Sequence, residues 1–483
     1  MSRLSRRSFL AASAAFAARP AVAATTKPSA GSGPLDIVIV GAGAAGIAAA
    51  RRVAATGARY TVLEATDHIG GRCITDTRAF GVPYDLGAHW LYTPDINPLT
   101  RIAPRRSVEV YPAPQSQKVR IGRRYAREGE LEDFLTAQVK ATRAIADAAR
   151  RADVPGSQTM PSDLGDWRAT VEFVVGPYMS GKDLPQVSAL DLSKAAERGT
   201  AAFCRQGLGA LIAALADGVA VELNTPVKSI NSRRPSVDTA KGTLTARAVI
   251  VTVPTGVLAA GRIAFDPELP HVTVDAFGRL SPGSYDHIAL ELVGNPLGLQ
   301  SDDLVFEKSS DTHTAALLAN VAGTQLCLID VAGAFGRDLS AQGRPAMVDF
   351  ATEWLTKLYG ADVKKAIGRT HATNWNVEPY ALGAASAAVP GAEVARRALM
   401  QPVNDGVWFA GEAAHETLWG TVGGAWESGD RTAEVVLRRL GLLKAAPQAQ
   451  AEPAAPAKSK ARRTRVRETF SPFGSIMRDE YRR

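Results

Sequence analysis

Gly41, Gly43 and Gly46 stand in the spacing G-x-G-x-x-G, between a β-branched run ending at Val40 and an alanine-rich run through Ala44 and Ala45 to Ala55. Such a spacing can hold a pyrophosphate. The first glycine permits a tight turn, the second lets the backbone approach the phosphates, and the third lets helix and strand pack closely. The chemistry needs a helix after the turn, because its N–H groups and positive dipole end then face the anion. Asp36 to Val40 reads as a buried strand and Ala44 to Ala55 as that helix. A second short strand, Tyr60 to Leu63, ends at Glu64, whose carboxylate is placed to accept hydrogen bonds from a ribose. A glycine-rich turn without a ligand explains this order less well than a dinucleotide site.

Further clusters of small residues lengthen the ligand. Gly70-Gly71-Arg72 offers close backbone approach and a guanidinium that can neutralise phosphate. Asp85-Leu86-Gly87-Ala88-His89-Trp90 places small residues where a backbone can lie against a flat ring. Far downstream, a buried strand from Val407 leads through Phe409 and Gly411 to Glu412. Gly420-Thr421-Val422-Gly423-Gly424-Ala425 then opens a helix running to about Leu440. The N1–C2=O edge of a reduced flavin carries developing negative charge and suits the positive end of that helix. A ligand met by residues 41–90 and again by 411–425 is long, which favours FAD over NAD.

The elements that must position these residues imply an α/β fold: a Rossmann-like dinucleotide-binding domain with a discontinuous α+β substrate domain. A chain of 483 residues can bury cores for both. Leu131, Phe134, Leu135 and Val139 share one helical face, followed by an amphipathic run to Arg151. Met347, Phe350, Ala351, Trp354, Leu355 and Leu358 predict a helix from Ala346 to Tyr359, stopped by Gly360. These faces read as core. Ile288 to Val293 and Leu326 to Val331 read as strands of a second sheet. The expected division gives 36–100, 205–285 and 366–443 to the FAD domain, and 101–204 with 286–365 to the substrate domain.

The formal charge of +8 does not point to a nucleic acid, because the ends carry it. Residues 1–35 hold five basic residues and no acid, and residues 445–483 hold nine basic against four acidic, which leaves the body slightly acidic. Arg6-Arg7 before an apolar run to Ala18, with Ala21-Val22-Ala23 as a cleavage pattern, predicts a twin-arginine export signal over 1–23 and a periplasmic protein. Residues 24–35 read as a linker, and 444–483 as a disordered basic tail. No stretch is long and apolar enough for a transmembrane segment. The three cysteines, Cys73, Cys204 and Cys327, make neither a disulfide framework nor a metal-ligand spacing, so no metal is expected.

Taken together, the motifs resemble the flavin-containing amine oxidase family, which includes monoamine, polyamine and L-amino-acid oxidases. The resemblance spans most of residues 36–440 and adds Asn224-Thr225-Pro226-Val227-Lys228, the run from Val249 to Leu258, and Phe265 to Pro270 to the motifs above. It implies that Val227 binds adenine through its backbone, that Glu412 contacts the ribityl–pyrophosphate region, and that Thr421 and Val422 lie against the flavin. It also implies hydride transfer from the carbon beside an amine nitrogen to flavin N5, imine hydrolysis, and reoxidation by dioxygen to hydrogen peroxide. The substrate is then a small amine or amino acid, the export machinery is a partner, and a homodimer stays open.

Departures from the family pattern mark where this chain differs. The family lysine that holds a water near flavin N5 aligns with His287, which either holds that water or is a strand-end histidine without a role. The paired aromatic positions align with Ala385 and Thr421, leaving Trp419, Trp375 or Tyr380 to supply a ring. Ala384 replaces the cysteine that attaches the flavin in monoamine oxidases, which implies non-covalent FAD. His287, His89 and Thr421 are the candidate catalytic residues, and His415 reads as a loop or capping residue. Two other readings remain: a flavin-dependent desaturase with a non-oxygen acceptor, and a flavoprotein kept as a binding module.

Overall fold

The computed structural model describes residues 35–443 apart from 115, 116, 197 and 199; the expected signal, linker up to residue 34 and tail lie outside that range. Ile37 and Ile39 alternate with Val38 and Val40 along the strand Leu35–Val40, so both of its faces are apolar and both need a cover. The strand occupies the middle of a sheet. Tyr60–Leu63 and then Val221–Glu222 pair parallel on one side, and Gly242–Val251 pairs parallel on the other, followed by Val407–Phe409. The far end of Gly242–Val251 leaves this layer for an antiparallel ribbon with Ser236–Thr239 and Val227–Asn231.

One face is covered by the helices Ala44–Ala54 and Val422–Arg439, which pack together through a core that includes Ile37, Ile39, Ile47, Val53, Trp426 and Val436. Gly429 makes the approach of these helices close. A Cβ there would lie 2.0 Å from the Ala45 carbonyl oxygen. The opposite face packs Val38, Val40, Val249 and Val251 against Phe277 and Phe409.

A second sheet of seven strands runs Ile367–Ala372, Tyr285–Leu292, Leu326–Ala332, Ala316–Ala319, Asp303–Glu307, Gln117–Ile121 and Arg124–Tyr125. The helix Arg344–Tyr359 covers one face through Met347, Trp354, Leu355 and Leu358. Glu128–Ala149 covers the other, through Phe134 against Phe306 and Trp167. The domain boundary expected at 366 needs correction: Ile367–Ala372 pairs antiparallel with Tyr285–Leu292 and belongs to this second sheet. A small sheet of Leu91–Tyr92, Ala201–Cys204 and Val110–Pro112 stands between the two large ones. All three cysteines are buried free thiols.

Candidate active site

The segments from both sheets converge on one cavity of about 520 Å³. Its wall includes Gly41, Gly43, Ala44, Ala45, Glu64, Gly71, Arg72, Gly87, Ala88, His89, Trp90, Val227, Gly411, Glu412, Thr421 and Val422, and also His287. These residues, singled out across the whole sequence, thus meet in space. Gly46 is absent from the wall.

The three glycines of the first turn do different work. A Cβ on Gly46 would fall 1.9 Å from the Gly41 carbonyl oxygen, so this glycine serves helix–strand packing. Gly41 adopts φ +105° with Thr252 Oγ1 close against it, a left-handed conformation that disfavours a side chain. At Gly43 the nearest protein atom to a Cβ is 3.8 Å away, an ordinary contact. What glycine keeps open at that position is the cavity itself. Together with the small side chains of Ala44, Ala45, Ala88, Ala384, Ala385 and Ala425, this cradle fits a long dinucleotide with a flat ring. Glu64, expected to meet a ribose, is fixed within the protein: Oε2 accepts from the Ala42 N–H at 2.7 Å and Oε1 from Thr66 at 2.8 and 2.9 Å.

Glu412 organises another part of the wall. Its carboxylate accepts from the Ser386 N–H at 3.1 Å, the Ser386 hydroxyl at 2.7 Å, the Gly420 N–H at 2.8 Å and Arg72 Nη2 at 3.1 Å. Arg72 also donates to the Ala384 carbonyl. Its guanidinium, expected to neutralise phosphate, therefore bridges two protein segments. Thr421 is the N-cap of Val422–Arg439: its hydroxyl accepts from the Gly424 N–H at 2.9 Å and donates to the Leu418 carbonyl at 2.7 Å. That hydroxyl has no proton left for catalysis, so the residue orients the helix end instead.

His287 is buried and held at both nitrogens, with Nδ1 2.5 Å from Asp330 Oδ1 and Nε2 2.7 Å from the Gly87 carbonyl oxygen. Burial opposes its charge, but the Asp330 carboxylate and the Gly87 carbonyl outweigh that and raise its pKa to about 9. Both ring nitrogens then donate, one to each partner. His89 is arranged differently. Its Nδ1 lies 2.8 Å from Asp85 Oδ2, and its Nε2 is buried with no hydrogen-bond partner among the described residues. Asp85 is itself fixed by Thr75 and by the N–H groups of Leu208 and Gly209. His415 accepts the Leu418 N–H at 3.0 Å and approaches Glu427, a local structural role.

The wall also carries the rings of Trp90, Tyr92, Tyr178, Tyr285, Trp375 and Tyr380. Trp375 donates Nε1 to the Leu86 carbonyl at 3.0 Å, and Tyr380 is exposed. Trp419 does not line the cavity; it is buried between Arg198 and Arg396. Sequence reasoning missed Tyr92, Tyr178, Tyr285, Arg198, Arg344 and His371. Tyr178 ends a π-helical turn, Val174–Tyr178, for which the sequence offers Pro177 as its only local signal.

The family model described as flavin containing amine oxidoreductase matches residues 188–437, and one described as NAD(P)-binding Rossmann-like domain matches residues 39–103. Probable polyamine oxidase 4 of Arabidopsis thaliana is 26% identical over 451 residues, covering 84% of this chain and 88% of its own. Polyamine oxidase 5 of Oryza sativa subsp. japonica is 27% identical, covering 84% and 88%. Cyclohexylamine oxidase from Brevibacterium oxydans IH-35A shares the fold with a TM-score of 0.71 at 21% identity, over 85% of this chain and 100% of that one. Wild-type putrescine oxidase bound to putrescine does so with a TM-score of 0.70 at 20% identity, over 84% and 99%.

The fold is thus the amine-oxidase fold, a Rossmann-like domain joined to mixed sheets. With its family match extending over half the chain, the protein belongs to the flavin containing amine oxidoreductases. It is an FAD-dependent, amine oxidase-like oxidoreductase.

Proposed function

We propose that the substrate is a small amine or amino acid, bound at the aromatic end of the cavity, and that dioxygen is the electron acceptor. One observation carries this reading: the glycine and alanine residues suited to a flavin and the rings of Tyr92, Tyr178 and Tyr285 wall the same space. Bound FAD supplies the hydride acceptor. The protein's task is to orient the reacting carbon and keep water away. Tyr178 and Tyr285, with ring centroids 6.1 Å apart, contribute apolar faces for that purpose.

An amine arrives largely as its ammonium and must lose a proton before the neighbouring C–H can leave as hydride. His89 is the residue to which we give this proton. Asp85 Oδ2 holds the imidazole at Nδ1, which leaves Nε2 without a partner among the described residues. The test is anaerobic mixing of the yellow holoprotein with a panel of amines and amino acids. Bleaching by some of them is expected; a flavin that stays oxidised across the panel overturns the reading.

A second reading, electron transfer to a quinone or cytochrome, is favoured by His287. With both nitrogens committed to Asp330 and Gly87, no ring atom is left to hold a water for oxygen chemistry. Peroxide formed in amounts matching substrate consumed supports dioxygen, and its absence supports the second reading. Export to the periplasm is proposed on Arg6-Arg7 and the run that follows them. Replacing both arginines with lysine should retain the protein in the cytoplasm, and unchanged export counts against it.

A further inference from the structure

The cavity wall holds a buried cation that no carboxylate of the described residues pairs with. Arg198 lines the wall and is 7% exposed. Its Nη2 donates to the Trp419 carbonyl at 2.5 Å, its guanidinium lies 4.5 Å from the centroid of the Trp419 ring and 5.7 Å from that of Tyr92, and its Nε has no partner. Among the described residues it forms no ion pair. Arg396, 5.1 Å from the centroid of the same Trp419 ring, is the contrast: it is also buried, but Asp191 pairs with it. A buried charge left unpaired is costly unless a ligand completes it. Burial lowers the Arg198 pKa to about 10, so the group remains a cation at neutral pH.

Arg120 is also buried without a carboxylate, but it is enclosed by the rings of Tyr125 and Tyr359 and the Leu358 carbonyl, away from the cavity. Among the described residues, Arg198 is the buried arginine that combines the missing anion with a place on the wall. The acids on that wall do not suit a second ammonium. Glu64 is tied to Ala42 and Thr66, Glu412 to Arg72, Ser386 and Gly420, and Glu378 sits on an exposed turn. Arg344, exposed on the same wall, adds a further positive charge. A substrate with several ammonium groups would meet cations here.

We infer that Arg198 receives the carboxylate of the substrate, and that this chain acts on amino acids in preference to the corresponding simple amines or to polyamines. The planar guanidinium fork matches a carboxylate, and the Trp419 ring behind it holds the fork in place. The inference rests on the reading of the site as one for amine oxidation, whose failure can be told apart as follows.

The experiment uses holoprotein and paired substrates with one side chain, such as leucine with 3-methylbutylamine and phenylalanine with 2-phenylethylamine. Flavin reduction is followed anaerobically for wild type, Arg198→Gln and Arg198→Lys. The wild type is expected to favour the amino acid of a pair. Arg198→Gln should lower kcat/KM for it by roughly 100-fold, the worth of a charge-assisted hydrogen bond, with the simple amine changed less than about threefold. Arg198→Lys should recover part of the loss. Equal losses for both members of a pair, or a wild type that prefers the simple amine, overturn the inference.

A second measurement does not depend on turnover: titration of the oxidised flavin spectrum with the unreactive carboxylates 4-methylpentanoate and benzoate. Saturable binding in the wild type, weakened at least tenfold in Arg198→Gln, supports the anionic subsite even if no amine reduces the flavin. No binding of either carboxylate to the wild type overturns it. An Arg198→Gln protein that loses FAD or shifts its resting flavin spectrum assigns the arginine to the cofactor and also overturns it.

Discussion

Asp330 and His287 face each other in register across two antiparallel strands, and their side chains close the pair at 2.5 Å. Because the same imidazole reaches the Gly87 carbonyl on the cavity wall, this cross-strand contact fastens the second sheet to the loop suited to the flavin.

The pair makes stability depend on pH. His287 is raised from its ordinary 6.5 to about 9 in the folded state, so its contribution is complete below about pH 6.5 and is lost as pH rises through about 9. Lys182 acts in the opposite sense: burial lowers its pKa to about 8, so folding regains stability from there upward. The difference between wild type and Asp330→Asn isolates the histidine. In thermal unfolding, the variant should be less stable by roughly 3 kcal/mol near pH 6, and the gap should narrow towards pH 9. A gap independent of pH would contradict the ion pair.

The two glycines of the first turn should separate folding from cofactor binding. Gly46→Ala forces a methyl group onto the Gly41 carbonyl and should destabilise the apoprotein by about 3 kcal/mol or more. Gly43→Ala finds room in the protein, so its apo stability should stay within about 0.5 kcal/mol while FAD affinity falls at least tenfold. Apoprotein melting and flavin titration measure both.

Glu412 joins Arg72, Ser386 and Gly420 in one polar cluster. Removing it by Glu412→Ala leaves Arg72 without its ion pair and two N–H groups without an acceptor. A loss of about 3 kcal/mol is expected, together with release of FAD at dilutions that the wild type survives. Fluorescence of released flavin reports the second effect.

Replacing His287 with lysine restores an amine where the family pattern has one. If the committed imidazole slows reaction with dioxygen, reoxidation of the reduced holoprotein should accelerate at least tenfold in His287→Lys, with the reductive half-reaction changed less. Stopped-flow mixing of the reduced protein with oxygenated buffer measures it. An unchanged rate would separate His287 from oxygen chemistry.

The dinucleotide cradle was legible because its signals are local. A β-branched strand, three spaced glycines and a helix follow one another within residues 36–55, and each role can be read from the residue type. The same holds for the turn from Gly411 to Val422. The partners of His287 were not legible, since Asp330 and Gly87 are brought to it by strand register and by the packing of separate sheets. Tyr178 and Arg198 come from a region whose pattern announces helices but not which face meets the cavity. Trp419, weighed as a source of an aromatic ring, instead lies behind Arg198 as its support. Ile367–Ala372 shows why the boundary was misplaced: an alternating strand does not say which sheet it will join.

Leu35–Val40 leaves the ribosome well before its sheet neighbour Gly242–Val251, and Val407–Phe409 lies one strand beyond. The nascent chain cannot complete the nucleotide cradle during most of its synthesis. Closure waits until Val422–Arg439 docks against Ala44–Ala54. FAD therefore loads only after Val422–Arg439 has been made, and translation halted before Val422 yields a colourless fragment open to proteases.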